Sequence, residues 1–280
     1  MINLNGSFYT DLSQIPINFN NPFLNPFHIE EIIRFEEGKL LFWELHYFRL
    51  MAAMRRMRYL IPNTFTMDYL QKEIVSTIDK NQNQSDPALV SFHILEHKIE
   101  NQKDSNKVLF VIETHPTSTL KSSHNKERFS IDLYKDAFVL SGLLSNLTLI
   151  NAPLRKMIGV YAFENGLDDC LILNEQKNLV ETTLGTPYLI NDNVWITPDL
   201  MSGCQNLIFR NAFNKWLKNE KSGLLLEERN ITPFELQRAE EIMIISVESG
   251  GISVSNYRKT IFQNTKGQAV FNAFITSSLT

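Results

Sequence analysis

The sequence predicts a mixed α+β / α/β protein of two domains, and three observations carry that reading. Short apolar runs of strand length alternate with amphipathic stretches of helical length, and compact polar turns close several strand pairs. A Thr-, Ser-, Lys- and His-rich stretch around Pro116 separates two halves that each have apolar patterning of their own. The expected division is a smaller N-terminal α/β domain over 1–113, a linker over 114–128, and a larger strand-rich domain over 129–280.

In the first half, residues 2–5 alternate and end in Asn5-Gly6, a strand entering a turn. Glu37-Gly38 reads as a hairpin turn into Leu40–Trp43, and a helix begins near Glu44. Leu45, Phe48, Met51 and Ala52 form its expected apolar stripe, with His46, Arg49, Ala53 and Arg56 on the adjacent face. His46 and Arg49 can therefore serve one anion together. Phe65–Lys80 is a second amphipathic helix, 81–86 a loop, and Ala88–Glu100 and Lys107–Ile112 are strands. His93 and His97 lie four apart, a spacing that on a strand separates them too far to share a metal ion, so they read as exposed strand histidines.

In the second half, Asn151 followed by Pro153 marks a helix start, and Gly166 its stop. Leu154, Ile158, Tyr161 and Ala162 recur as one buried stripe. Cys170–Leu173 and Leu179–Val180 form a hairpin that leaves Glu181 at a strand end, pointing outward. A second hairpin spans 188–196 about Asn191-Asp192-Asn193. Ser202-Gly203-Cys204-Gln205 reads as the capped start of a helix bearing Phe209, Phe213 and Trp216, whose free amides would suit a phosphate. Thr232-Pro233-Phe234-Glu235 is a capping box, 242–247 a buried strand, and a final helix follows Tyr257.

Composition bounds the partners. With 280 residues, 43% hydrophobic and 21% charged, the chain can bury a sizeable core. Its formal net charge of -4, without a concentrated basic block beyond Arg55-Arg56-Met57-Arg58, argues against nucleic acid. Cys170 and Cys204 form neither a metal-ligand pair nor a redox motif, which fits a reducing cytoplasm. No export signal and no membrane span is read.

The order from Ser141 to Glu181 resembles the class IV aminotransferases, the fold-type IV pyridoxal phosphate (PLP) family that includes branched-chain and D-amino-acid aminotransferases and 4-amino-4-deoxychorismate lyase. That family has Lys-x-x-Asn, a helix closing on Gly, a strand with Asp/Glu-x-Leu-Leu, and Val-x-Glu. Asn151 falls on the family Asn and Glu181 on the Glu that holds the cofactor's pyridine nitrogen. Thr148 falls on the Schiff-base lysine. His46-Tyr47-Phe48-Arg49-Leu50 resembles the His-x-x-Arg-Leu whose Arg binds the PLP phosphate. Ser202, Gly203, Cys204 and Gln205 align with the phosphate-binding turn, and the phosphate-contacting hydroxyl falls on Val247, with Ser246 beside it. Thr186 replaces a family Asn, and Pro22, Asn25 and Pro26 replace the residues of a Gly- and Tyr-containing loop.

The resemblance implies a two-domain, D-amino-acid aminotransferase-like fold with a C-terminal pseudo-barrel, PLP as cofactor, amino acid, keto acid or phosphate ligands, and a homodimer. Thr148 limits what carries over. A hydroxyl cannot form an imine with an aldehyde, and losing the amine as acid/base alone costs roughly 10²–10⁴ in rate. Lys156, two helical turns on, is the nearest substitute. Three readings stay open: a diverged member binding PLP or another phosphate ligand noncovalently, an active aminotransferase or lyase using another lysine, and a noncatalytic partner of an active paralogue.

Overall fold

The structure is a computed structural model that describes residues 1–15, 28–81, 86–98, 106–120, 128–219 and 223–279. The expectations for Pro22, Asn25 and Pro26, for 121–127 of the linker and for the side chain of His97 lie outside the described residues. The chain forms two compact units, 1–119 and 120–278.

Unit 1 holds β1 (Ile2–Leu4), β2 (Ser7–Tyr9), β3 (Ile29–Glu36), β4 (Lys39–Leu40), α1 (Trp43–Arg56), α2 (Met67–Asn81), β5 (Ala88–Lys98) and β6 (Asn106–Pro116). Its strands make one antiparallel sheet ordered β2-β1-β6-β5-β3-β4. Both expected turns form. Glu37 and Gly38 have φ of 51° and 77°, the left-handed pair that matches the twist of a two-residue hairpin. Phe110 on β6 packs against the rings of Phe65, Tyr69 and Phe92. The strand β6 runs on through Pro116, so 114–116, assigned from composition to the linker, are sheet.

The face that α1 buries differs from the expected one. Trp43, His46, Leu50, Met51, Ala53 and Met54 are buried, whereas Phe48 is 54% exposed and Ala52 is exposed. The helix is rotated so that polar residues on its inner face meet a buried carboxylate on β3.

Unit 2 holds β7 (Ser130–Leu133), α3 (Ala152–Glu164), β8 (Asp169–Leu173), β9 (Leu179–Thr182), β10 (Thr186–Asn191), β11 (Val194–Thr197), α4 (Ile208–Asn219), β12 (Leu225–Glu228), β13 (Glu241–Ser246), β14 (Gly250–Ser253), β15 (Asn256–Tyr257), β16 (Thr260–Ile261) and α5 (Lys266–Leu279). Two five-stranded sheets result, ordered β12-β11-β10-β13-β14 and β16-β15-β7-β8-β9. One core joins them, with Ile131, Leu171 and Leu173 from the second sheet and Leu189, Ile196 and Ile244 from the first. A second cluster places Ile158 and Ala162 of α3 against Cys170, Ile172 and Val180 of the β8–β9 hairpin. The predicted stripe of α3 is therefore its packing face, although the Asn151 side chain makes no capping bond. In the expected capping box, Glu235 accepts from Thr232 N at 2.9 Å, and a short 3-10 turn follows rather than an α-helix.

The start of α5 depends on one buried acid. Glu241 accepts from Thr265 N, Lys266 N and Gly267 N at 3.1, 2.9 and 2.9 Å, so a carboxylate from β13 satisfies the free amides of the first turn. Glu241→Ala should lower stability by about 2 kcal/mol. The thermal midpoint should fall by roughly 4–8 °C, measurable by calorimetry, with Glu240→Ala on the exposed neighbour as control.

Candidate functional site

Each unit contributes one cluster. In unit 1, Glu31 on β3 is buried, and His46 and Arg49, one helical turn apart on α1, both reach it. Arg49 donates through Nε to Oε1 at 2.7 Å and through Nη2 to Oε2 at 2.5 Å. His46 Nδ1 lies 2.8 Å from Oε2, and His46 Nε2 is buried without a partner among the described residues. Burial favours protonated Glu31, but the Arg49 guanidinium and the His46 ring outweigh it and hold this carboxyl below its ordinary range. Burial pushes His46 below its ordinary range despite Glu31. Arg49 and His46 do serve one anion together, but that anion belongs to the protein.

In unit 2 the cluster forms where the turn-rich segment 141–151 meets α3, β9 and the segment before α4. Glu181 is the next-to-last residue of β9, paired with Ile172, and at 2% exposure the carboxylate expected to point out of the hairpin is covered by the protein. Both strands of the hairpin that was to present it are buried. Its carboxylate is met on both oxygens, by Arg155 Nη1 on Oε1 at 2.9 Å and by Gln205 N on Oε2 at 3.1 Å. Arg155 Nη2 also donates to the carbonyl of Thr148. One guanidinium on the first turns of α3 thus ties position 148 to position 181.

The expected helix start at Ser202 is corrected. Leu200–Ser202 is a 3-10 turn, Gly203 is left-handed at φ 98°, and α4 begins only at Ile208. Asp199 causes the change, because its carboxylate accepts from Ser202 N at 2.8 Å and closes the turn before a helix can begin. Gly203 N donates to Leu200 O, Gln205 N to Glu181 and Asn206 N to Asn146 O, so these amides face protein acceptors. A Cβ on Gly203 would lie 3.0 Å from Ser141 Cα, a tight approach at a position whose left-handed backbone already favours glycine. The Cys204 thiol is buried, contacts the carbonyls of Pro198 and Asp199, and is pushed up to about 12 by burial.

Lys156 is exposed on α3 and makes no contact with Glu181. Ser246 ends β13, where its hydroxyl accepts from Glu248 N at 3.2 Å, and Val247 follows it outside the strand. Thr186 is buried at the start of β10, paired with Ile245. His93 is half-buried beside the His28 ring, 5.5 Å between centroids, rather than exposed. No group of acidic, His or Cys side chains suited to a metal ion occurs among the described residues. Sequence reasoning missed Arg155 and Glu31. An arginine four residues past Asn151, beside the buried stripe, was the available signal for the first.

Residues 29–257 match the family described as amino-transferase class IV. The chain belongs to the class IV aminotransferase family. No curated protein matches it by sequence. Among solved structures it resembles a branched-chain aminotransferase from Thermoproteus uzoniensis with norvaline, at 18% identity and TM-score 0.83, covering 99% of this chain and 94% of that one. A putative 4-amino-4-deoxychorismate lyase from Legionella pneumophila gives 18% identity and TM-score 0.76, covering 90% and 91%. The Thermobaculum terrenum branched-chain aminotransferase in its PLP form gives 17% identity and TM-score 0.83, covering 99% and 93%. The class IV chain thus has the fold-type IV architecture, and no helix among its described residues is long and apolar enough to cross a membrane.

Class IV membership implies PLP in general, but at the positions that the resemblance assigns to the cofactor the residues of this chain do not fit a covalently held PLP. Position 148 offers a hydroxyl and a carbonyl already bonded to Arg155. The Glu181 carboxylate already has a cationic partner, and the nearest substitute amine, Lys156, is exposed.

The unit 1 cluster predicts how stability responds to acid. His46 has a lowered pKa in the fold, so as pH falls through about 6.5 the unfolded chain takes up its proton first and stability drops. Glu31, held below 4.5, keeps its full contribution above that value and loses it only at lower pH. Urea unfolding at pH 7 and 5 should show wild type losing more stability than His46→Gln, by up to about 1.4 kcal/mol per pH unit. Equal losses would exclude a buried neutral His46.

Proposed function

We propose that this class IV chain has left transamination and binds a small ligand bearing a phosphate or carboxylate without a covalent bond. The observation that carries the reading is the arrangement Thr148–Arg155–Glu181. The resemblance implies that the family's reactive lysine falls on 148, and here a guanidinium is bonded to the Thr148 carbonyl. Guanidinium stays protonated at any physiological pH and has no free lone pair to attack an aldehyde. The positive charge is kept and the nucleophile is lost.

Arg155 suits an oxyanion. Two of its five N–H groups have acceptors among the described residues, and its side chain retains 11% exposure, so the rest of the fork is available for bidentate donation. Because Glu181 neutralises the charge, recognition rests on directed N–H donors more than on net attraction. Amino acids, keto acids and phosphate compounds, the ligands that family membership suggests, all carry such a group.

A second reading, a noncatalytic subunit paired with an active class IV paralogue, is favoured by a different observation. Met157, Val160 and Phe163 expose an apolar stripe on α3, with Leu140 and Leu143 exposed in the preceding segment. Co-purification with a second class IV chain from the native cell supports it, while a lone monomer at micromolar concentration counts against it.

Mixing the purified protein with PLP and borohydride should leave its intact mass unchanged. Amino-group transfer across a keto-acid panel and aminobenzoate formation should both be absent. A stoichiometric adduct on one native lysine would overturn the reading.

A further inference from the structure

We propose that Arg155 is a built-in counter-ion for Glu181 that closes the ring-nitrogen position, so the site excludes a pyridoxal-type ligand even when an amine is restored at 148. The inference rests on the reading that positions 148 and 181 are the family's cofactor positions, and it adds that Arg155 determines which ligand the site rejects.

Glu181 is the starting point, because a carboxylate only 2% exposed must be compensated. In this fold the compensation is complete without any small molecule, with Arg155 on one oxygen and the Gln205 amide on the other. The second arm of the same guanidinium is anchored to the Thr148 carbonyl, which fixes its plane across the gap between the two positions. That anchor is a main-chain atom, so changing the side chain at 148 does not release it. A ring nitrogen would have to displace a charged, doubly bonded donor from a buried acid, and no other acid takes over Arg155, since its only ion pair among the described residues is with Glu181.

Four variants test this, with PLP alone as the probe. An introduced lysine condenses with the aldehyde by forming C=N and releasing water. Borohydride then adds hydride to the carbon while solvent protonates the nitrogen, so the adduct is counted by intact mass. Thr148→Lys should form no more than about one-tenth of the adduct formed by Thr148→Lys/Arg155→Met. Equal adducts in the two proteins would overturn the inference, as would a folded double variant that forms none.

A second arm needs no ligand. Arg155→Met should melt below wild type, because it strands a buried carboxylate, and adding Glu181→Gln should restore part of the loss. An Arg155→Met protein that melts like wild type overturns the inference. An adduct on a native lysine of the wild type would sink the noncovalent reading instead, and would leave the melting arm to judge Arg155.

Discussion

A carboxylate taken out of water must be given a partner, and the choice of partner at Glu181 shapes unit 2 of this protein. Arg155 comes from the start of α3 and the Gln205 amide from the segment before α4, so the acid ties both to β9. Removing one member of such a buried pair typically costs about 3–5 kcal/mol, because the other charge is left uncompensated. The pair is therefore a constraint on the fold as well as on the site.

The other buried acids show how partners differ by role. Glu241 and Asp169 are satisfied mainly by backbone amides and hydroxyls at a helix start and a tight turn. Burial leaves Asp169 with a raised pKa, since no cation opposes it. Glu31 and Glu181 are instead each held by an arginine from the helix packed nearest in sequence, and both arginines keep an edge accessible. Backbone-satisfied acids hold turns together. Arginine-satisfied acids position a donor fork, which is what an anion site needs.

Much of this was legible in the sequence, and the failures have physical causes. The hairpins about Glu37-Gly38 and Asn191–Asn193 and the stripe Leu154, Ile158, Ala162 formed because turn chemistry and periodicity pointed the same way. The inner face of α1 was misread because counting apolar residues cannot anticipate Glu31 drawing His46 and Arg49 inward. Ser202 looked like a cap, but Asp199 competes for its amide three residues earlier. Arg155 was overlooked because only an amine could replace a missing lysine in the chemistry being sought. An arginine that bonds a buried acid and a main-chain carbonyl leaves no motif.

The central claim is that the acid at 181 is already compensated by the protein, and the absorption spectrum of the protein as purified from its native cell tests it most directly. The account predicts absorption from the protein's aromatic side chains alone, with no cofactor band before or after treatment with hydroxylamine or denaturation in alkali. A near-ultraviolet or visible band that denaturation releases as free PLP would contradict it.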